Sequence, residues 1–168
     1  MNRSVVQFLI GCILAAFTTG LVGGYALSAK PNDLEGVARI IDGDTVAIGG
    51  RIVRLLDMDA PEGAQTCQDA RGNTYECGWL ATKVLIGIVA GRELSCEGNK
   101  LDRYGRLLAI CRAEGLDIGR AMVLKGWAWP YRRGTGRYDA DAAIARSEQR
   151  GAWAGIWIDP FEWRRLNR

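Results

Sequence analysis

The sequence predicts an α+β protein that is mainly β: a five-stranded barrel with three helices packed against it. Three observations lead there. Short apolar runs broken by Asp-Gly and Gly-Gly turns fill the region after Glu35, an amphipathic stretch follows and stops at a glycine, and two further strand-like runs precede two more helical stretches. A chain of 168 residues is long enough for one compact domain with a sizeable core, and too short for two ordinary ones behind an export segment.

Taken in order, GVARII from Gly36, TVAI from Thr45 and IVRLLDMD from Ile52 to Asp59 read as strands, joined by the turns Asp42-Gly43-Asp44 and Gly49-Gly50. After Pro61 the stretch EGAQTCQDARGNTYECG is polar and Gly-containing, as expected of a loop. WLATKVLIGIVAG then has apolar residues at helical spacing and ends at Gly91. RELSCEG and RLLAICRAEG are the fourth and fifth strands, around the connection NKLDRYGR. DIGRAMVLKG, capped by Asp117, and DADAAIARSEQRG are the last two helices, each followed by glycine. Three strands, a helix, two strands and two helices suit a small barrel of the oligonucleotide-binding (OB-fold-like) kind, spanning residues 36–168.

Residues 5–29 carry no charge, follow Arg3, and precede Lys30, Asp33 and Glu35, with 30–35 as a linker. This is an export or membrane segment. The run is longer than the core of a cleavable signal and approaches the ~20 residues that span a bilayer, which favours an uncleaved anchor. The small residues Ala26, Ser28 and Ala29 keep a cleaved signal peptide open. Arg3 places the amino terminus inside and the domain outside, either on the periplasmic face of the cell membrane or secreted. Cys67, Cys77, Cys96 and Cys111 form an even set within the domain, as disulfides in an oxidising compartment require, and lack the close Cys pairs of zinc sites. Three pairings are possible. Cys67 with Cys77 and Cys96 with Cys111 are preferred because each closes a short segment, the second stapling neighbouring strands.

Charge and composition narrow the chemistry. The chain contains no histidine, which excludes imidazole acid-base pairs, Ser/His and Cys/His nucleophiles, and His-ligated zinc or iron. Its net charge is +3, and residues 30–168 hold 21 basic against 19 acidic side chains. That permits a local cationic groove without a broad basic face. Carboxylates and arginines must carry any reaction.

Four elements stand out: Asp42-Gly43-Asp44-Thr45, the run from Arg54 through Asp59-Ala60-Pro61-Glu62, Asp102-Arg103-Tyr104-Gly105-Arg106, and Gly151-Ala152-Trp153. In this order, from about Gly36 to Trp157, the chain resembles the staphylococcal nuclease family. The resemblance implies a five-stranded barrel with three helices and calcium-dependent hydrolysis of DNA and RNA that leaves 3'-phosphate ends. By motif position it implies that Asp44 and Asp59 ligate calcium, with the backbone carbonyl of Ala60 where the family has threonine. Glu62 matches the glutamate that activates or orients water, and Arg54 and Arg106 match the arginines that hold the phosphate. Arg103 and Tyr104, in the same well-matched motif, are expected near a terminal phosphate. Trp127, Trp129 and Tyr131 fall where the family places nucleotide-contacting tyrosines, but the spacing WAWPYRR departs from its pattern; only Tyr131 is carried over, and core packing of these aromatics is an equal alternative.

The chemistry asks for these residue types. Calcium takes six to eight oxygen ligands and leaves room for water and phosphate beside two carboxylates. A phosphodiester is anionic, so a metal and two guanidinium forks must offset the charge that develops on its oxygens, and water needs a carboxylate within reach. Each residue also has a plainer reading. Asp42 and Asp44 suit a hairpin turn without metal; Asp57, Asp59 and Glu62 suit a solvated strand end; Arg103 and Arg106 suit loop charges. Arg54 is harder to place, because alternation puts it on one strand face with Ile52, Leu56 and Met58, where a charge needs an anionic partner. Two rival functions remain: a non-catalytic barrel that binds nucleic acid or protein, and a structural envelope protein. DNA and RNA are the implied substrates, residues 5–29 the implied membrane contact, and no protein partner is implied.

Overall fold

The computed structural model describes residues 33–131 and 134–167. The expected export or membrane segment lies outside them. The chain runs β1 (Leu34–Ile40), β2 (Thr45–Ile48), β3 (Arg51–Leu55), β4 (Met58–Asp59), β5 (Cys67–Gln68), β6 (Thr74–Tyr75) and α1 (Cys77–Val89). It continues through β7 (Glu93–Leu101), β8 (Leu107–Ala113), β9 (Leu116–Asp117), α2 (Ile118–Leu124), β10 (Trp129–Pro130), α3 (Asp139–Ser147), a 3-10 turn (Gly151–Ala154) and α4 (Pro160–Leu166).

The principal sheet has the order β3-β2-β1-β7-β8-β9, and a parallel pairing of β3 with β8 closes its first five strands into a barrel. Closure removes the free edges that an open sheet would expose. Hairpin turns make the β1–β2 and β2–β3 pairs antiparallel, with Ala38 opposite Ile48 and Thr45 opposite Arg54. The side chains of Val46, Val53, Leu55, Leu94 and Leu107 fill the interior, and Leu85 of α1 with Ile118 and Met122 of α2 completes it, all at 2% exposure or less. Burying each large aliphatic side chain contributes about 1.5–3 kcal/mol. α1 packs on α2 and α2 on α3.

Both expected disulfides form, Cys67–Cys77 and Cys96–Cys111. Cys96 and Cys111 are direct cross-strand partners of β7 and β8, so this bridge staples the barrel wall. Cys67–Cys77 ties the small β5–β6 hairpin to the start of α1.

The fold differs from the sequence expectation in three places. First, the strand expected to reach Asp59 stops at Leu55. Asp57 adopts φ +64, which a strand does not accommodate, and its buried carboxylate accepts from Thr135 N (3.2 Å) and Thr135 Oγ1 (2.7 Å). The chain then resumes as β4, paired with β10. Second, there are four α-helices among the described residues, not three. α4 begins where Asp159 Oδ1 accepts from Phe161 N at 2.8 Å and Pro160 occupies the first turn, a start signal present in the sequence. Third, β1 starts at Leu34, inside the stretch read as linker, because Leu34 and Glu35 pair with Cys96 and Ser95.

Candidate active site

Arg54 lies on β3 between Val53 and Leu55, which face the core, so alternation turns it to the other side of the barrel wall. There its guanidinium pairs with two carboxylates, Nη1 with Asp44 and Nη2 with Asp59. Both aspartates are 3% exposed. The plainer reading of a solvated strand end therefore does not hold for Asp59. Asp44 comes from the β1–β2 turn, where Asp42 Oδ1 accepts from its backbone N at 3.0 Å. Asp44 Oδ1 accepts from Thr45 Oγ1 (2.9 Å) and Oδ2 from Ala60 N (3.0 Å), so one carboxylate joins the first turn to the segment after β4. Gly43 is needed at this junction, since a Cβ there would sit 2.7 Å from that of Ala60.

Burial raises the pKa of Asp44, with Arg54 pulling the other way. Burial also works against the charge on Arg54, but Asp44 and then Asp59 more than offset it, so Arg54 is held more firmly protonated than usual. The triad is a buried ion network, costly to assemble and costlier to break at one member.

Glu62 sits in the loop after β4, and its backbone is fixed by Gln65, whose side chain is completely buried. Gln65 Oε1 accepts from Glu62 N at 3.1 Å, while its Nε2 donates to the Ile158 carbonyl at 2.7 Å. The loop also rests on the first turn of α1. A Cβ on Gly78 would stand 1.7 Å from the Glu62 carbonyl oxygen, so only glycine allows this approach.

Above these groups lies Arg164 of α4, which the sequence reading did not single out. Its Nη1 and Nη2 donate to Asp59 Oδ1 (3.1 Å) and Oδ2 (2.8 Å), and Nη1 also pairs with Glu62 Oε1. Partial burial opposes its charge, and Asp59 and Glu62 reverse that, raising its pKa.

The turn between β7 and β8 presents the remaining arginines. Asp102 Oδ1 accepts from Tyr104 N (2.9 Å) and Arg106 N (3.0 Å), and Oδ2 from Arg106 Nε (2.8 Å). The Arg103 and Arg106 guanidiniums lie 4.8 and 5.5 Å from the Tyr104 ring centre. Tyr104 is exposed, as is Tyr131, whose backbone N donates to the Asp57 carbonyl at 2.8 Å.

These parts converge on one cleft of about 750 Å³, whose wall includes Arg54, Glu62, Arg103, Tyr104, Arg106, Tyr131 and Arg164. All the expected phosphate and nucleotide residues thus face a common space. Asp44, Asp59 and Ala60 are not on that wall; the two aspartates stand behind Arg54, in contact with it. Trp129 turns elsewhere, stacking with Trp153 and Trp157 at 4.5 and 5.0 Å between ring centres, as the packing alternative had it.

Asp44 and Asp59 share one guanidinium, so both carboxylates lie within reach of a single cation, and oxygen is the donor that a hard cation such as calcium selects. The donor set fits. No trio of His, Cys, Asp or Glu side chains is gathered for a metal among the described residues, so the remaining ligands would be backbone, water and substrate oxygens.

A closed five-stranded barrel with arginines and carboxylates in one cleft defines a protein suited to phosphodiester chemistry. The match of the staphylococcal nuclease homologue family to residues 52–159 makes the assignment specific: the chain belongs to that family and carries its nuclease domain. It is 39% identical to the succinoglycan biosynthesis protein ExoI of Rhizobium meliloti (strain 1021) over 86% of this chain and 74% of that one. Identity to protein ParB of Escherichia coli is 33%, covering 77% of each chain. An uncharacterized endonuclease of Escherichia coli is 30% identical over 79% of this chain and 86% of its own.

Proposed function

We propose that the protein is a calcium-dependent nuclease that hydrolyses DNA and RNA with little sequence preference, leaving 3'-phosphate ends. One observation carries this reading: Arg54 is held by Asp44 and Asp59 at the edge of the same cleft that Glu62 and Arg106 line.

In this reading Asp44, Asp59 and the Ala60 carbonyl hold the cation, which when bound offsets charge on the phosphate oxygens. Arg54 and Arg106 bind the phosphate through their planar forks and gain strength as negative charge develops. Asp102 keeps Arg106 oriented through three hydrogen bonds; two are to the turn's backbone and one is to Nε, which leaves the terminal nitrogens available to the cleft. Glu62 orients a water and takes its proton. Arg103, Tyr104 and Tyr131 border the cleft where the chain of the substrate enters, and the tyrosine rings offer faces for bases to stack. The uncharged run 5–29 and the disulfide-bonded domain support a location outside the cell membrane, anchored there or secreted.

The test is digestion of plasmid DNA, single-stranded DNA and RNA by the full chain in calcium and in chelator. Full cutting in chelator sinks the calcium assignment. Within the site, Glu62→Gln keeps shape and removes the base, so single-turnover cleavage should fall by roughly 10²- to 10⁴-fold with little change in calcium affinity. A folded Glu62→Gln chain that cuts at the parent rate makes Glu62 structural.

A further inference from the structure

We propose that Arg164 is a displaceable internal cation: α4 latches over the carboxylates of Asp59 and Glu62 in the calcium-free protein and is released when calcium binds. This rests on the calcium reading above.

The first argument is competition at Asp59. Its Oδ1 accepts from Arg164 Nη1 and pairs with Arg54 Nη2, while Oδ2 accepts from Arg164 Nη2. A carboxylate offers about four lone-pair sites, and three are taken by guanidinium N–H groups. One site remains, so a cation that takes an oxygen of Asp59 competes directly with these guanidiniums for it. The second argument is charge. Arg54 and Arg164 both face Asp44, Asp59 and Glu62, and Asp42 acts on Asp44 and Arg54 as well. A divalent cation placed beside two guanidiniums is repelled by both, and that repulsion falls when one of them withdraws.

The third argument decides which arginine yields. Arg54 projects from a closed barrel wall, is bonded on β3 to strands on both sides, and keeps its Asp44 contact. Arg164 belongs to a seven-residue helix whose only buried residue is Pro160. An element with so little apolar burial opens at low cost. Its hinge is marked as well: Gln65 fixes the Ile158 carbonyl, so the chain is held up to that point and α4 follows it. Because Arg164 also grips Glu62, the latched form ties up the proposed base together with the metal carboxylate. Calcium then controls both.

The experiment compares the full-length parent with Arg164→Gln and Arg164→Lys, using calorimetric calcium titration without substrate. Near-ultraviolet dichroism checks folding, and amide hydrogen exchange across residues 160–166 is followed with and without calcium. Arg164→Gln should bind calcium roughly tenfold more tightly than the parent, the size expected when a competing charge-assisted pair is removed. Arg164→Lys, with charge but no fork, should fall between. In the parent, exchange across α4 should quicken on calcium addition. Calcium affinity unchanged or weakened in both variants overturns the latch, as does exchange across α4 that slows with calcium. If Arg164→Gln fails to fold, Arg164→Lys and the parent's exchange decide. Should the variants bind calcium as the parent does but take up nucleotide less well, Arg164 is a phosphate clamp and the latch is rejected. No calcium binding by any of the chains overturns the calcium reading itself and the latch with it, an outcome distinct from equal, measurable affinities.

Discussion

Two arginines grip Asp59 from different parts of the molecule, and only one of them is built into the barrel. Arg54 stands on β3 with 13% of its side chain exposed and two aspartates around it; Arg164 stands on α4 with 29% exposed and reaches Asp59 and Glu62. The charges and the shared partner are alike. What differs is the scaffold: Arg54 is anchored in a closed sheet paired on both sides, whereas Arg164 rides on a short helix with one buried residue, which opens at lower cost. The same ion pair is therefore structural at one end and releasable at the other.

The contrast can be broken most directly at Arg54. Arg54→Met leaves Asp44 and Asp59 buried without their shared cation, and should cost about 3–5 kcal/mol of stability, while Arg164→Gln costs about 1 kcal/mol or less in calcium-free buffer. Equal losses in chemical denaturation would erase the distinction. The pH dependence gives a second reading of the same variant. Burial already raises the Asp44 pKa, and losing Arg54 removes the group that pulls it down. An acid whose folded pKa lies above its unfolded value favours the folded state when protonated, and it loses that advantage as pH rises from the unfolded value near 3.9 through the folded one. The Arg54→Met chain should therefore be less destabilised near pH 5 than at pH 8. A deficit independent of pH speaks against a buried Asp44 charge as the cause.

A smaller effect is expected where the two regions meet. Gln65→Leu removes the side chain that holds Glu62 N and the Ile158 carbonyl, and leaving those groups without it should cost about 1–3 kcal/mol. It should also lower turnover, since the Glu62 loop loses its brace. Unchanged thermal stability and turnover would show that the loop is positioned by Gly78 and α1 alone.

The smallest expected effect is at Asp102. Although partial burial opposes it, hydrogen bonds from Arg106 and from the turn's backbone hold the Asp102 carboxyl below the usual carboxylate range. Its contribution is fully present above the ordinary aspartate pKa near 3.9 and is lost as pH falls through the lower folded value. Asp102→Asn should thus lower stability slightly at neutral pH, with the deficit shrinking as pH falls below about 4. A deficit that persists undiminished or grows in acid would contradict this.

Much of the barrel was legible because its signals are local. Period-two runs, Asp-Gly and Gly-Gly turns, the Asp117 cap and glycine stops act within a few residues, and they gave the five barrel strands and the first three helices. The pairing of Cys67 with Cys77 and of Cys96 with Cys111 followed from short closure for the same reason. The break at Asp57 was not legible, since its positive φ is sustained by Thr135, 78 residues away. α4 had a readable start in Asp159-Pro160 that the strand-and-helix count passed over.

The candidate site divides along the same line. Sequence by itself determined which side chains were available: no histidine, an arginine on a strand face that demanded an anionic partner, and carboxylates and arginines in a fixed order along the chain. Tertiary structure alone decided who meets whom. Asp44 and Asp59 became the partners of Arg54 because the β1–β2 turn ends beside it, with Thr45 opposite Arg54, and because the chain turns at Asp57 and brings β4 back to it. Arg164 reached Asp59 and Glu62 across more than a hundred residues, a contact for which no spacing in the sequence gives a sign. Electrostatic pairing acts over a few ångströms of space and is indifferent to distance along the chain, so only the folded path could bring the second cation to the site.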